Sequence, residues 1–237
     1  MTEGVMSARV LPSREQTQDV RHSAGAEVET CRRPAPWNPG NFAREQIEGL
    51  VRQVFISDAL RPIRQVVFSA ADESDLRKLC RALGEALAAQ TQEAVAVVGG
   101  YPRLLRPAET QPPDRMTNDA SMPLRQVAAR LRGNLWLVPD GRTDRDSVTP
   151  ASLHAYMAEV RRQFEYSIVE APCAASGEAA ALAQFADGIV LVLSEGHTRR
   201  AAAGQIKAAL EAAQVRILGA VLSDRMFPIP DALYRRL

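Results

Sequence analysis

Apolar residues follow two rhythms along this chain. Ile47, Leu50, Val51, Val54 and Phe55 recur at helical spacing and predict a helix from about Phe42 to Phe55, with Asn41 as its N-cap. From Arg64 onward, short runs rich in β-branched residues alternate with amphipathic stretches. The runs predict strands at Gln65–Phe68, Ala94–Val98, Leu135–Val138, Ser167–Glu170, Gly188–Leu193 and Ile217–Leu222. Leu76, Leu79, Cys80, Leu83 and Leu87 mark a helix from Ser74 to Ala89. Thr149 and Pro150 pair an N-cap with a first-turn proline and open a helix to about Phe164. Thr198 opens another, which turns Ile206 and Leu210 inward. Nearly all-apolar strands separated by helices predict an α/β fold with a doubly wound, mostly parallel sheet flanked by helices in three layers, α/β/α.

Two stretches break this rhythm. Residues 1–40 mix Ser, Thr, Glu, Gln and Arg without a period and close on Pro34, Pro36 and Pro39. They read as a disordered tail, for solubility, tethering or a short partner-binding motif, ahead of a single domain over residues 41–237. Pro102 to Pro123 has no period either and is too long for an ordinary crossover loop, which points to a functional or mobile segment.

Composition narrows the function classes. A net charge of +1 gives no overall field for nucleic acid or an anionic membrane, and 5% aromatic residues leave little for base stacking. Cys31, Cys80 and Cys173 are scattered, so reduced thiols in a cytoplasmic protein are expected, with neither zinc nor a disulfide framework. The apolar runs are strand-sized, which argues against direct membrane insertion, and the N-terminus lacks a charged-then-apolar secretion signal. His22, His154 and His197 are isolated and read as surface residues. Cys173, after Pro172, reads either as a reactive thiol or as a small buried residue.

The candidate chemistry lies in Ser69-Ala70-Ala71-Asp72-Glu73-Ser74-Asp75-Leu76, a turn from strand to helix. A phosphate-binding turn needs glycines, so that backbone N–H groups can converge on oxygen, and a lysine to neutralise charge. This one has no glycine and carries Asp72, Glu73 and Asp75. Asp72 or Ser74 could instead cap the helix, with the acids complementing its dipole.

Four blocks, in order, resemble the bacterial tyrosine kinases of capsule and exopolysaccharide export, relatives of the MinD/ParA type of P-loop ATPase. The turn is similar to the family's Ser-Ala-x-Pro-Gly-Glu-Gly-Lys-Ser, keeping Ser69, Ala70 and, with the turn one residue shorter than that pattern, Glu73. Val95-Ala96-Val97-Val98-Gly99-Gly100-Tyr101-Pro102-Arg103 resembles the strand that ends Asp-x-Asp-x-Arg, with Gly99 and Tyr101 in place of the aspartates. Phe164-Glu165-Tyr166-Ser167-Ile168-Val169-Glu170-Ala171-Pro172 resembles the Walker B strand, placing Glu170 at the magnesium-organising aspartate. Ala186-Asp187-Gly188 and Leu218-Gly219-Ala220-Val221-Leu222 resemble the family's Ala-Asp-Gly strand and its Leu-Gly-x-Val-Leu-Asn strand.

The resemblance implies a P-loop NTPase-like fold over about residues 42–223. By it, Asp75 stands at the lysine and Leu76 at the hydroxyl that would touch Mg²⁺. Two unit charges 4 Å apart interact by about 4 kcal/mol at an effective dielectric of 20, so reversing one should cost several kcal/mol of triphosphate affinity. The family's Glu-x-x-Arg-x-x-Arg pattern for ring assembly reads Glu45, Glu48 and Val51, without either arginine. The closing segment, Phe227 to Leu237, is not the family's terminal tyrosine cluster; Tyr234 alone is a thin substitute for it and reads as a packing or surface residue. The resemblance therefore implies a non-catalytic regulatory or binding component of exopolysaccharide or capsule biosynthesis. Its partner would be a membrane chain-length regulator or a related kinase. The alternative is an active ATP-dependent tyrosine kinase or ATPase with an atypical phosphate loop, needing ATP and Mg²⁺ and relying on Glu170.

Overall fold

The computed structural model describes residues 5–7, 39–56, 62–99, 124–139 and 149–225. Most of the predicted tail, the Pro102–Pro123 segment, Tyr101 and Tyr234 lie outside the described residues. Eight strands form one sheet: β1 (Val5–Ser7), β2 (Gln65–Ala70), β3 (Val95–Gly99), β4 (Ala129–Arg132), β5 (Leu135–Pro139), β6 (Tyr166–Glu170), β7 (Gly188–Ser194) and β8 (Ile217–Arg225). Their order is β1-β8-β7-β2-β6-β3-β5-β4. The six inner strands are parallel, and β1 and β4 are antiparallel edges. All six predicted strands are present, most of them extended by one to three residues.

The helices are α1 (Pro39–Val51), α2 (Arg77–Gln90), α3 (Leu124–Val127), α4 (Pro150–Gln163), α5 (Gly177–Gln184) and α6 (Arg200–Ala212). One face of the sheet packs Val66, Phe68, Val97 and Leu135 against Leu50, Val51, Leu83 and Leu87 of α1 and α2. The other packs Val67, Ala96, Val169 and Ile189 against Leu153, Met157, Leu182 and Leu210 of α4, α5 and α6. Val66, Val67, Phe68, Val95, Ala96 and Val97 are fully inaccessible. Both faces of the central strands are covered, which is why they read as apolar runs rather than as alternation.

Several boundaries correct the sequence reading. α1 starts at Pro39, so Asn41 lies exposed in its first turn and is not the cap; proline fits there because its missing N–H would be unsatisfied in any case. The helix ends in a π-helical turn, Arg52–Ile56, that carries Phe55 inward, where its ring meets Tyr166 edge-on at 6.0 Å. Val5–Ser7, inside the predicted tail, pair with β8. α4 confirms its predicted start: the Thr149 side chain accepts the Ser152 N–H at 3.1 Å while Ser152 Oγ accepts from Thr149 N at 3.0 Å. Thr149→Ala should therefore lower stability by about 1 kcal/mol in urea unfolding; an unchanged midpoint would show that the cap is energetically idle.

Candidate functional site

The loop after β2 lies at the carboxyl ends of the central strands, where open α/β sheets place their ligands. It is tied to both neighbouring loops. Ala71 N donates to Val192 O at 2.9 Å, Ala174 N donates to Ala70 O at 2.7 Å, and Ser69 Oγ donates to Pro172 O. The Cys173 thiol, half-buried, donates to Ala71 O at 3.6 Å.

Within the loop, side chains close on the backbone. Asp72 Oδ1 accepts from Ser74 N at 3.0 Å and from Ser74 Oγ. Asp72 Oδ2 accepts from Thr198 Oγ1 at 3.3 Å, and Thr198 Oγ1 itself accepts from Ser194 N at 3.0 Å. Ser194 Oγ lies 3.2 Å from Ser74 Oγ. A carboxylate of the chain thus takes an N–H in a loop whose counterpart in phosphate-binding folds points its N–H groups at a ligand. Partial burial works against ionisation of Asp72. The Ser74 hydroxyl and N–H, with the Ser194 and Thr198 hydroxyls, outweigh it and hold the carboxyl below its ordinary range.

Neither Asp72 nor Ser74 caps α2, which corrects the sequence reading. The helix starts at Arg77, after Leu76, without a side-chain cap. Thr198 likewise turns back to Ser194 and Asp72 rather than opening α6, whose N-cap is Arg199. Asp75 instead accepts from Arg77 N at 3.0 Å and binds the Arg77 guanidinium through two bonds, 2.8 and 2.6 Å. The Arg77 side chain holds the Asp75 carboxyl below its ordinary range, and Asp75, with a smaller contribution from Glu170, raises Arg77. Arg77 is the residue the sequence reading passed over, although an Asp two positions before an Arg at a helix start was visible. The pairing also corrects the electrostatic expectation. The Asp75 charge is matched locally by Arg77, with Lys78 of the first turn of α2 acting in the same direction.

Leu76 is 4% exposed and packs into the core beneath α1 and α2, so it points away from the loop surface. Glu73, Ser74 and Asp75 are exposed. Glu170 ends β6 half-buried, opposite Phe68 of β2. Its carboxylate lies over Gly99, where a Cβ would stand 2.5 Å from Glu170 Oε2 and 3.1 Å from its Cβ. Among the described residues, no three His, Cys, Asp or Glu side chains are grouped so as to hold a metal ion.

Solved structures that match this fold agree with one another. The kinase domain of the Escherichia coli tyrosine kinase ETK matches over 86% of each chain, at 16% identity and a TM-score of 0.60. The BceF tyrosine kinase domain matches over 76% of this chain and 77% of its own, at 17% identity and 0.57. The MinD cell division protein of Aquifex aeolicus matches over 67% of this chain and 68% of its own, at 14% identity and 0.51. The fold is that of bacterial tyrosine-kinase domains and of MinD- and ParA-type ATPases. No protein-family model matches the sequence, and no curated protein matches it. At these identities the likeness establishes the architecture, while chemistry has to be argued from the side chains. No described helix is long and apolar enough to cross a membrane.

Proposed function

We propose that this protein is a non-catalytic member of the tyrosine-kinase fold that works as a regulatory or binding component in exopolysaccharide or capsule biosynthesis. The observation that carries the reading is the self-closed loop after β2. Asp72 takes the Ser74 N–H, Arg77 is bound to Asp75, and Leu76 is buried in the core. A triphosphate with Mg²⁺ fits this set poorly. Among the described residues of the loop it would meet Asp72, Glu73 and Glu170 with no glycine to admit it, the Arg77 guanidinium taken by Asp75, Lys78 as the remaining cation of the helix's first turn, and no hydroxyl at Leu76 for the metal. ATP and Mg²⁺ are accordingly not cofactors in this reading. The retained sheet serves as a scaffold for contact with a membrane chain-length regulator or a related kinase, which would bring a cytoplasmic protein to the membrane without inserting it.

Isothermal titration of the full chain with ATP and Mg²⁺ tests this. The expected result is no binding tighter than about 1 mM. Micromolar binding accompanied by turnover would overturn the reading. If Glu170→Ala then abolished that turnover, the chain would be an ATPase or tyrosine kinase with an altered loop.

A further inference from the structure

At the opposite end of the strands from the loop after β2, α1, α2 and the β4–β5 hairpin enclose an open cleft of about 620 Å³. Its floor is small and apolar: Ala82, Ala86 and Ala89 recur along α2, faced by Ile47 of α1 and by Leu131, which is 38% exposed. The hairpin wall is fixed in place, because Asn134 Nδ2 donates to Thr91 O at 2.9 Å and to Glu93 O at 2.7 Å, binding the turn to the end of α2.

The rim is basic. Arg44 and Arg81 stand over Glu48 and Glu85 at 3.9 and 3.0 Å, so those charges largely cancel. Arg132 is exposed, lines the same cleft and has no ion-pair partner among the described residues. The segment from Leu124 to Asn134 adds Arg125 and Arg130 and contains no acid. Those two are engaged elsewhere, stacked over the Trp136 ring at 5.6 and 5.5 Å. Among the described residues of the rim, Arg132 is therefore the cation without an ion-pair partner.

The free edge of β4 is a poorer receptor than the cleft. Its ladder is irregular between Arg130 and Arg132, and charged side chains alternate along it, two devices that discourage an added strand. A floor of alanines instead admits the close approach of a helix, in the manner of an amphipathic helix laid into a groove.

We propose that this cleft docks an acidic amphipathic helix of a protein partner, with apolar side chains against Ala82, Ala86 and Leu131 and a carboxylate on Arg132. The proposal deepens the reading of the chain as a binding component by giving the chemistry of its partner. It is tested without nucleotide, so failure of either claim leaves the other standing.

The probe is a synthetic helical peptide with leucines on one face and glutamates on the other, compared with its glutamine and lysine counterparts. Binding to the full chain is followed by fluorescence anisotropy and by amide shifts in labelled protein. The expected result is binding by the glutamate peptide, shifts at Ala82, Ala86 and Leu131, and a loss of about tenfold in affinity with Arg132→Glu. Arg132→Gln should lose less, and both variants should unfold at the parent's temperature because the side chain is exposed. Equal binding of the lysine peptide, no effect of Arg132→Glu, or no binding at millimolar peptide would overturn the proposal. Binding that appears only after residues 1–38 are removed would assign the cleft to the chain's own N-terminal segment. A dimer dissociated by Arg132→Glu would assign it to a second copy. Either result would also overturn it.

Discussion

Gly188→Ala should lower the stability of the fold by about 3 kcal/mol, a drop of roughly 6–12 °C in Tm for a chain of this length. Gly188 opens β7 beside Val66 of β2, and a Cβ there would stand 2.6 Å from Arg216 O and 2.7 Å from Leu218 Cγ. The carbonyl cannot simply retreat, because it accepts the Ile189 N–H at 2.9 Å where β7 and β8 begin to pair. Strand and backbone would have to separate by several tenths of an ångström in a close-packed interior. Gly204 is the control. It is exposed on α6, and a methyl added there would have nothing within 4 Å, so Gly204→Ala should be neutral or stabilise by up to about 1 kcal/mol. Thermal and urea unfolding of both variants decide the matter; a Gly188→Ala protein within a few tenths of a kcal/mol of the parent would refute the close-approach argument.

Asp187→Ala should cost about 2–3 kcal/mol at neutral pH. Asp187 Oδ2 accepts from the backbone N–H groups of Arg64 and Gln65 at 2.7 and 2.8 Å, and Oδ1 accepts from Arg161 Nη2 at 2.5 Å. Gln65, 1% exposed, extends the network by donating to Met157 O at 3.2 Å. One carboxylate thus binds the start of β2, the end of α4 and the turn into β7. Burial opposes ionisation of Asp187, but the Gln65 N–H, the Arg161 guanidinium and the Arg64 N–H outweigh it and hold the carboxyl below its ordinary value of 3.8. A carboxyl whose folded pKa is depressed contributes stability that is present above its unfolded pKa and is lost as pH falls through the folded one. The parent should therefore lose stability as the pH drops below about 4. Asp187→Ala should lose less over that interval, so the two curves converge in acid. Urea midpoints measured from neutral pH downward provide the check, and parallel curves would show that Asp187 is not the group responsible. Asp72 carries a shift of the same sign at the other end of the sheet, so some acid sensitivity should survive in the variant.

The fold was legible because its strands are buried on both faces and its longer helices present one apolar stripe. What stayed hidden had physical reasons. α5 is Gly-Glu-Ala-Ala-Ala-Leu-Ala-Gln, a run of alanines without the polar contrast that marks a face, yet Ala179, Leu182 and Ala183 are buried against the sheet. β4 is wholly exposed, so burial imposes no alternation on it, and only its pairing with β5 around Gly133 and Asn134 makes it a strand. At the site, the sequence reading begins the helix at Ser74, whereas Ser74, Asp75 and Leu76 still belong to the loop and the helix starts at Arg77. The sequence could not show that Asp72 reaches Thr198 across 126 positions, or that Arg77 doubles back on Asp75. Both are matters of side-chain direction, which residue type and spacing leave undetermined.

The contact of Glu170 with Gly99 has a consequence for which side chains the end of β3 accepts. Any side chain entering at position 99 meets the Glu170 carboxylate, and an aspartate there would add charge repulsion to the collision. An acid at the end of β3 would require the Glu170 side chain to swing aside or a shorter group to stand at the end of β6. The two positions are therefore coupled, so that what position 99 tolerates depends on the length and direction of the side chain at position 170.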